Sequence, residues 1–358
     1  LKILDKYIIV KFLGTFFLSI ALIVSIAVVF DISEKIEDFI SRKAPLNAIV
    51  FDYYFNFIPY FANLFSPLFI FISVIYFTSK MAYNTEIISI LASGISFKRL
   101  LMPYLVCAGV LAGLSYYLNN FLIPHANKKR LEFEEAYIRN PFRNYDRNIH
   151  KQITPDTYVY FESYNNITNV GYKFSLEQFK ENKLVYKLLS DFIQWDSTLE
   201  KWKINNYTIR EINDLNEKIT SGYQKDTSIN IFPSDFTRRE NVMEMMDYHQ
   251  LNKFIIDEKF KGSEGIEYYE IEKQRRAAFP FATFVLTLIG VSIASKKVRG
   301  GIGAHIGVGI FISFSYILFM QVSTTFSTNA GLAPIISVWI PNILYLIFSL
   351  YLLKIAPK

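Results

Sequence analysis

Residues 100–136 read LLMPYLVCAGVLAGLSYYLNNFLIPHANKKRLEFEEA. From residue 100 to 123 there is no charged side chain, and the run is longer than the about 20 apolar residues that cross a bilayer core as a helix. Lys128, Lys129, Arg130, Glu132, Glu134 and Glu135 follow at once. One solvent gives way to another within a few residues, and the rest of the chain reads outward from this border. Upstream lie two more apolar runs, 7–30, broken only by Lys11, and 55–77. Downstream, beyond a polar block, lie 279–295, 302–326 and 333–353. Hydrocarbon offers backbone groups no water, so each run must close its own hydrogen bonds as a helix. The reading is a polytopic α-helical membrane protein with six transmembrane helices, three in residues 1–124 and three in 273–358, around a polar insert at 125–272.

Charge orients the spans. Lys2, Lys6 and Lys11 precede or open the first. Lys80, Lys98 and Arg99 bracket the turn between the second and third. Lys296, Lys297 and Arg299 fill the turn between the fourth and fifth, and Lys354 and Lys358 follow the sixth. Six crossings put all four clusters on one face, which the positive-inside rule makes cytoplasmic, with both termini. The insert then lies on the other side. It holds 21 Lys/Arg against 25 Asp/Glu, a net of −4, and the remaining residues carry +10 of the chain's total of +6. The basic balance therefore reports topology rather than a nucleic-acid surface. The first apolar run is too long for a signal-peptide core and no A-x-A-like site follows, so it reads as a retained helix. Cys107 is the single cysteine, so the insert must hold itself by packing.

Within the insert, 125–150 reads as a charged helical extension of the third span, ending before Pro141. Alternation then takes over. Residues 158–164 (YVYFESY) and 171–179 (GYKFSLEQF) read as strands, a turn at Glu181-Asn182 leads into 184–189, and 192–195 and 202–210 flank a turn at 196–201. Residues 219–232 could add one or two more. Short strands at such intervals predict a sandwich, jelly roll or open barrel. Residues 248–272 return to helix and feed the fourth span.

Catalytic patterns are absent from the sequence. His125, His150, His249 and His305 have no metal-like spacing with cysteine or carboxylates, and there is no H-E-x-x-H, G-x-S-x-G or Walker A pattern. The chain reads as a non-catalytic subunit with no metal site and no cofactor of its own. His305, alone of the four inside an apolar run, reads as structural.

One carboxylate stands apart. Between Asp52 and Glu132 the sequence holds only Glu86, in the turn that joins the second and third spans. Asn84 or Thr85 can cap a short helix here, with Glu86 in its first turn at the positive end of the helix dipole. Ile87, Ile88, Ile90 and Leu91 form an apolar stripe, Ser93 and Gly94 end it, and Ser96 caps the next span. Such a helix can lie flat on the bilayer or seat in a groove on a partner. Two other sets stand out. Lys35, Arg42 and Lys43, then Lys128, Lys129 and Arg130, then Lys273, Arg275 and Arg276 gather near the opposite ends of the spans, where snorkelling alone can account for them. Gly109-x-x-x-Gly113 and Gly303-x-x-x-Gly307 permit close helix approach.

The opening Leu4-Asp-Lys-Tyr-Ile8, the segment from Thr85-Glu86 to Ala92-Ser-Gly-Ile-Ser96, and the three-plus-three layout resemble the LptF/LptG permeases of the lipopolysaccharide exporter. The layout matches over the whole chain, and the turn segment is the most specific part. The opening looks more like LptG. The resemblance implies a β-jellyroll-like periplasmic insert in a multi-pass inner-membrane protein. It also implies a coupling helix at about 84–93, in which Glu86, Ile87, Ile90, Leu91, Ser93 and Gly94 meet an LptB-like ATPase dimer that uses ATP and Mg. Further implied partners are a second six-span, LptF-like permease and an LptC-like single-span protein, with lipopolysaccharide as cargo and no nucleic acid. Lys35, Arg42, Lys43, Lys128, Lys129, Arg130, Arg275 and Arg276 then become candidates for the phosphates of the lipid head through charge-assisted bonds. Related LptG chains can place a lysine near the outer end of span one, where this chain has Asp31, with Lys35 a turn further on. The alternative class is a membrane-anchored envelope scaffold or binding protein without transport activity. Six spans are more than an anchor needs.

Overall fold

Charged flanks do not stop the apolar runs from propagating as helix. In the computed structural model, which describes residues 2–140, 142–213, 216–236, 240–263, 265–298 and 300–356, six helices are long and apolar enough to cross a membrane. They are span one (Ile3–Ser41), span two (Leu46–Tyr83), span three (Phe97–Tyr137), span four (Ile266–Ala294), span five (Gly301–Ala330) and span six (Pro334–Ile355). Pro141, Arg299 and Lys358, used above, lie outside the described residues. Spans two and three each widen for one turn, at Ile49–Tyr54 and Leu118–Leu122, where the backbone bonds run i to i+5.

By contacts the chain divides into two compact units. The helical unit comprises Leu1–Arg139, Met243–Leu251 and Glu267–Lys358. Span four is its axis, with 67% of its apolar window buried, against 17% for span one and 28% each for spans five and six. Ile8, Phe12 and Phe16 of span one join a cluster with Ile70, Val74, Phe77, Tyr104 and Leu111. Phe71 and Ile75 of span two join a second with Val285, Leu286 and Ile289 of span four. Close approach is made at Gly290, where an added Cβ would stand 2.8 Å from Val74 Cγ1. The two glycine pairs expected to do this do not do it within the chain: Gly113, Gly303 and Gly307 have nothing within 4 Å of such a Cβ, and Gly109 only an ordinary contact with Phe284. Several buried polar groups are paired between helices, as hydrocarbon favours. Ser79 Oγ meets His305 Nδ1 at 2.8 Å, and the Tyr316 hydroxyl donates to Asn342 Oδ1 at 3.0 Å.

The second unit, Asn140–Val242 with Asn252–Ile266, is built on one antiparallel sheet. Its strands are β1 (Arg147–Thr154), β2 (Thr157–Asn165), β3 (Val170–Lys180), β4 (Lys183–Asp196), β5 (Lys201–Asn213) and β6 (Asn216–Thr227). They lie side by side in chain order. Alternation puts Val159, Phe161, Phe174, Leu188, Ile193, Trp202, Ile204 and Ile209 on one buried face. Ile231 and Phe236, from the segment after β6, complete that core, and Trp202 Nε1 donates to the carbonyl of Ile231 at 2.8 Å. Glu181 and Asn182 both have positive φ, the two-residue turn that suits the twist of a hairpin.

Two details differ from the sequence reading. The helical extension ends at Tyr137, and Arg147–Thr154, for which the sequence reading gave no strand, is a strand. Residues 184–189 and 192–195 are a single strand, because Ser190 is buried and its hydroxyl bonds the carbonyls of Phe192 and Asn205 in place of a turn.

Candidate functional site

The turn between spans two and three is a helix, Glu86–Ala92. Its N-cap is not made by a side chain. Thr85 takes φ +63° there, and its hydroxyl donates to the carbonyl of Asn84 at 2.6 Å instead of capping. The Asn84 amide reaches forward to Glu86 Oε1 at 3.3 Å. Gly94, at φ +85°, ends the helix as a left-handed glycine does without strain. Ser96 then caps span three by accepting from the Arg99 amide at 3.3 Å. Ile87 is 1% exposed and belongs to the cluster of Ile8, Phe12, Met81 and Phe97, with Ile90 and Leu91 packed at its edge. Ser93 and Gly94 are exposed, and Ile88 is 56% exposed.

Span one makes one polar contact with this helix and one with the start of span three beyond it. The Tyr7 hydroxyl donates to Glu86 Oε2 at 3.1 Å. Arg99 donates through both terminal nitrogens to Asp5, each at 2.7 Å, the forked geometry that makes guanidinium–carboxylate pairs strong. Sequence reasoning counted Arg99 only as a topogenic charge and did not single out Asp5 or Tyr7. The available signal was Asp5 itself, a lone carboxylate among Lys2, Lys6 and Lys11.

At the other end of the spans the eight candidate cations separate by what they touch. Lys35 pairs with Asp31 at 2.7 Å and also donates to the Tyr53 hydroxyl, while the hydroxyls of Tyr53 and Tyr54 donate to Asp31 at 3.2 and 3.1 Å. Arg42 donates to the carbonyl of Arg139 at 2.8 Å. Arg130 is buried over the ring of Tyr60 and lies 3.7 Å from both Glu134 and Glu244. Arg276 is fully engaged, with Glu272 at 3.0 Å and the carbonyls of Met246 and Met243 at 2.7 and 2.8 Å. Lys43, Lys128 and Lys129 are exposed. Arg275 is the one arginine of the set with neither an ion pair nor an acceptor among the described residues. Its Nε, like that of Arg130, is buried without a hydrogen-bond partner, and Arg275 lines a cavity of about 490 Å³ between spans two, three, four and five. Glu244 lines the same cavity; burial pushes its carboxyl above the ordinary range, and Arg130 opposes that. Among the described residues no group of three or more His, Cys, Asp and Glu is placed to hold a metal.

The model of the family described as lipopolysaccharide export system permease LptF/LptG matches residues 6–355. The chain belongs to this family. Among curated proteins, none matches it. The LptF/LptG description covers both permeases jointly, so the match does not separate one from the other. The chain is thus a multi-pass permease of the lipopolysaccharide export system, a transport subunit rather than a catalytic one. In this permease Asp31 and Lys35 form one neutral cluster with two tyrosines, so span one offers no unmatched cation at that depth. Among the described residues Arg275, on span four, makes no ion pair.

Proposed function

We propose that this permease pairs with a second six-span permease in the inner membrane to extract lipopolysaccharide and pass it to a periplasmic bridge, driven by a separate ATPase dimer. Both termini and the helix Glu86–Ala92 face the cytoplasm in this reading, and the sheet unit faces the periplasm. The cargo enters from the side, between spans one and five of opposing subunits. Spans one and five suit such a seam: they are among the least buried of the six, and Gly303 and Gly307 leave the exposed face of span five smooth enough for a close neighbour. ATP-driven closure pushes the helix around Glu86 and collapses the cavity. An LptC-like single-span protein is the further partner expected.

The observation that carries the reading is the coupling of that short helix to span one. Ile87 is sunk into the cluster built by Ile8 and Phe12, Tyr7 binds Glu86 of the same helix, and the Asp5–Arg99 pair ties span one to the start of span three just beyond it. A force on Glu86–Ala92 therefore reaches the span that forms the seam without crossing a flexible loop. Glu86→Lys reverses the one carboxylate of this surface. The complex carrying it should retain its fold and bind or hydrolyse ATP, yet release lipopolysaccharide from proteoliposomes far more slowly. Normal release with normal ATPase association would refute the coupling role.

A further inference from the structure

Hydrogen bonds are satisfied almost everywhere in the helical unit, which makes the exceptions informative. Two of them share one cavity. Arg275 Nε is a buried donor without a partner, and Asn127 Oδ1 is a buried acceptor without one, on a residue only 1% exposed. Both residues line the space of about 490 Å³ described above, with these two atoms packed into its wall. Its other charged groups are accounted for: Arg276 is held by Glu272 and two carbonyls, and Glu244 by Arg130. Arg275 makes no ion pair among the described residues, so one positive charge in this cavity is unmatched. The remaining wall is apolar, from Leu68, Phe279, Phe314, Ile317 and Met320. Phe314 and Ile317 are also 58% and 52% exposed, and Leu64 on span two 45%, so the cavity opens sideways between spans two and five, at the level where bilayer lipid lies.

We infer that this permease holds, inside its own helical unit, one phosphate-bearing amphiphile of the glycerophospholipid type. Its phosphate meets Arg275, a hydroxyl or ammonium of its head donates to Asn127 Oδ1, and one acyl chain lies between spans two and five. Each part of the ligand answers a feature of the cavity. An unmatched guanidinium excludes a neutral or cationic occupant and suits a phosphate. An unmatched carbonyl oxygen requires a donor close to that phosphate. The volume falls within the about 300–1,000 Å³ that takes one small ligand, room for one chain and part of a head, and too little for a lipid with many chains. The occupant is therefore a bilayer lipid held by one subunit, separate from cargo carried between two. The inference stands or falls independently of the transport reading.

The test compares lipid retained by the purified full complex in detergent for the wild type, Arg275→Met and Met320→Trp, extracted and identified by mass spectrometry. After delipidation, a thermal titration with phosphatidylglycerol follows. The wild type should retain glycerophospholipid that both variants lose, and its thermal midpoint should rise with added lipid. Arg275→Met should need about ten-fold more lipid for the same rise, the loss of one charge-assisted contact, and Arg275→Lys should recover part of it. Equal glycerophospholipid in all three proteins would overturn the inference. So would retention of lipopolysaccharide, rather than glycerophospholipid, as the species lost on substitution. Met320→Trp blocks the acyl chain without touching a charge, so it decides the matter even if Arg275→Met fails to fold.

Discussion

The two ends of the helix bundle are finished in opposite ways. At the Glu86 end, polar groups are matched and apolar groups are seated: Asp5 with Arg99, Tyr7 with Glu86, Ile87 beneath both. At the Arg275 end, adjacent arginines on one helix have opposite fates, Arg276 satisfied by three acceptors and Arg275 facing a cavity with its Nε unmet. A closed end transmits force, since packed interfaces shift as units. An end with unmet groups is prepared for a ligand. The difference teaches that charge near the membrane is a poor guide until its partners are known.

The comparison can be broken in four places. Ile87→Asp should be the most damaging, placing an unpaired carboxylate in the cluster of Ile8 and Phe12 and costing more than about 5 kcal/mol. Thermal unfolding in detergent, with recovery of the ATPase partner, reads this directly, and a mild effect would mean the closed end is not closed. Next come the paired arginines. Arg276→Ala leaves Glu272 and the carbonyls of Met243 and Met246 without their donor, a loss of about 3–5 kcal/mol. In lipid-free protein Arg275→Met should cost nothing or stabilise, because it removes a donor that has no acceptor. Equal losses for the two would erase the contrast between them. Tyr7→Phe should cost only about 0.5 kcal/mol, its hydrogen bond being exposed. A double-mutant cycle with Glu86→Gln should show that the two losses are not additive.

The smallest effect belongs to the sheet unit, where a half-buried ion pair at a turn gives the scale of charge that does little. Lys203 beside Asp196, at 2.5 Å, together with the amides of Thr198 and Leu199, holds that carboxyl at about 2, below its ordinary 3.8. A carboxyl depressed in the fold contributes stability that is complete above 3.8 and lost as the pH falls through about 2. Asp196→Asn should lower hydrogen-exchange protection of the β4–β5 turn slightly near neutrality and flatten its fall across that window.

Much of this was legible in the residues. The six runs were plain because hydrocarbon tolerates so few alternatives, and Glu86 was plain because no other carboxylate stood near it. β1 was not. Arg147–Thr154 offers only Ile149 and Ile153 to the core, too little alternation to separate it from the charged helix before it. Ser190 and Asp191 fell between two separate strand readings because the burial of Ser190 depends on a strand 15 residues further on, through the bond from Ser190 to Asn205. The glycine pairs misled for a related reason: spacing shows where a helix can be approached, and only packing shows that Gly290 and Gly309 are where it happens. The separation of Arg275 from Arg276 was beyond any sequence pattern, since it turns on two carbonyls supplied by the segment Glu240–Met245 and its successor.

The chain-order arrangement of the sheet has a consequence for how the protein is made. Each strand pairs with the one before it, so contacts are local in sequence and their closure is quick. Synthesis delivers all six strands after span three and before span four. The sheet can therefore zip up strand by strand as the ribosome advances, while half of the membrane helices are still unmade. The nascent chain then waits for spans four to six with only its helical half unfinished.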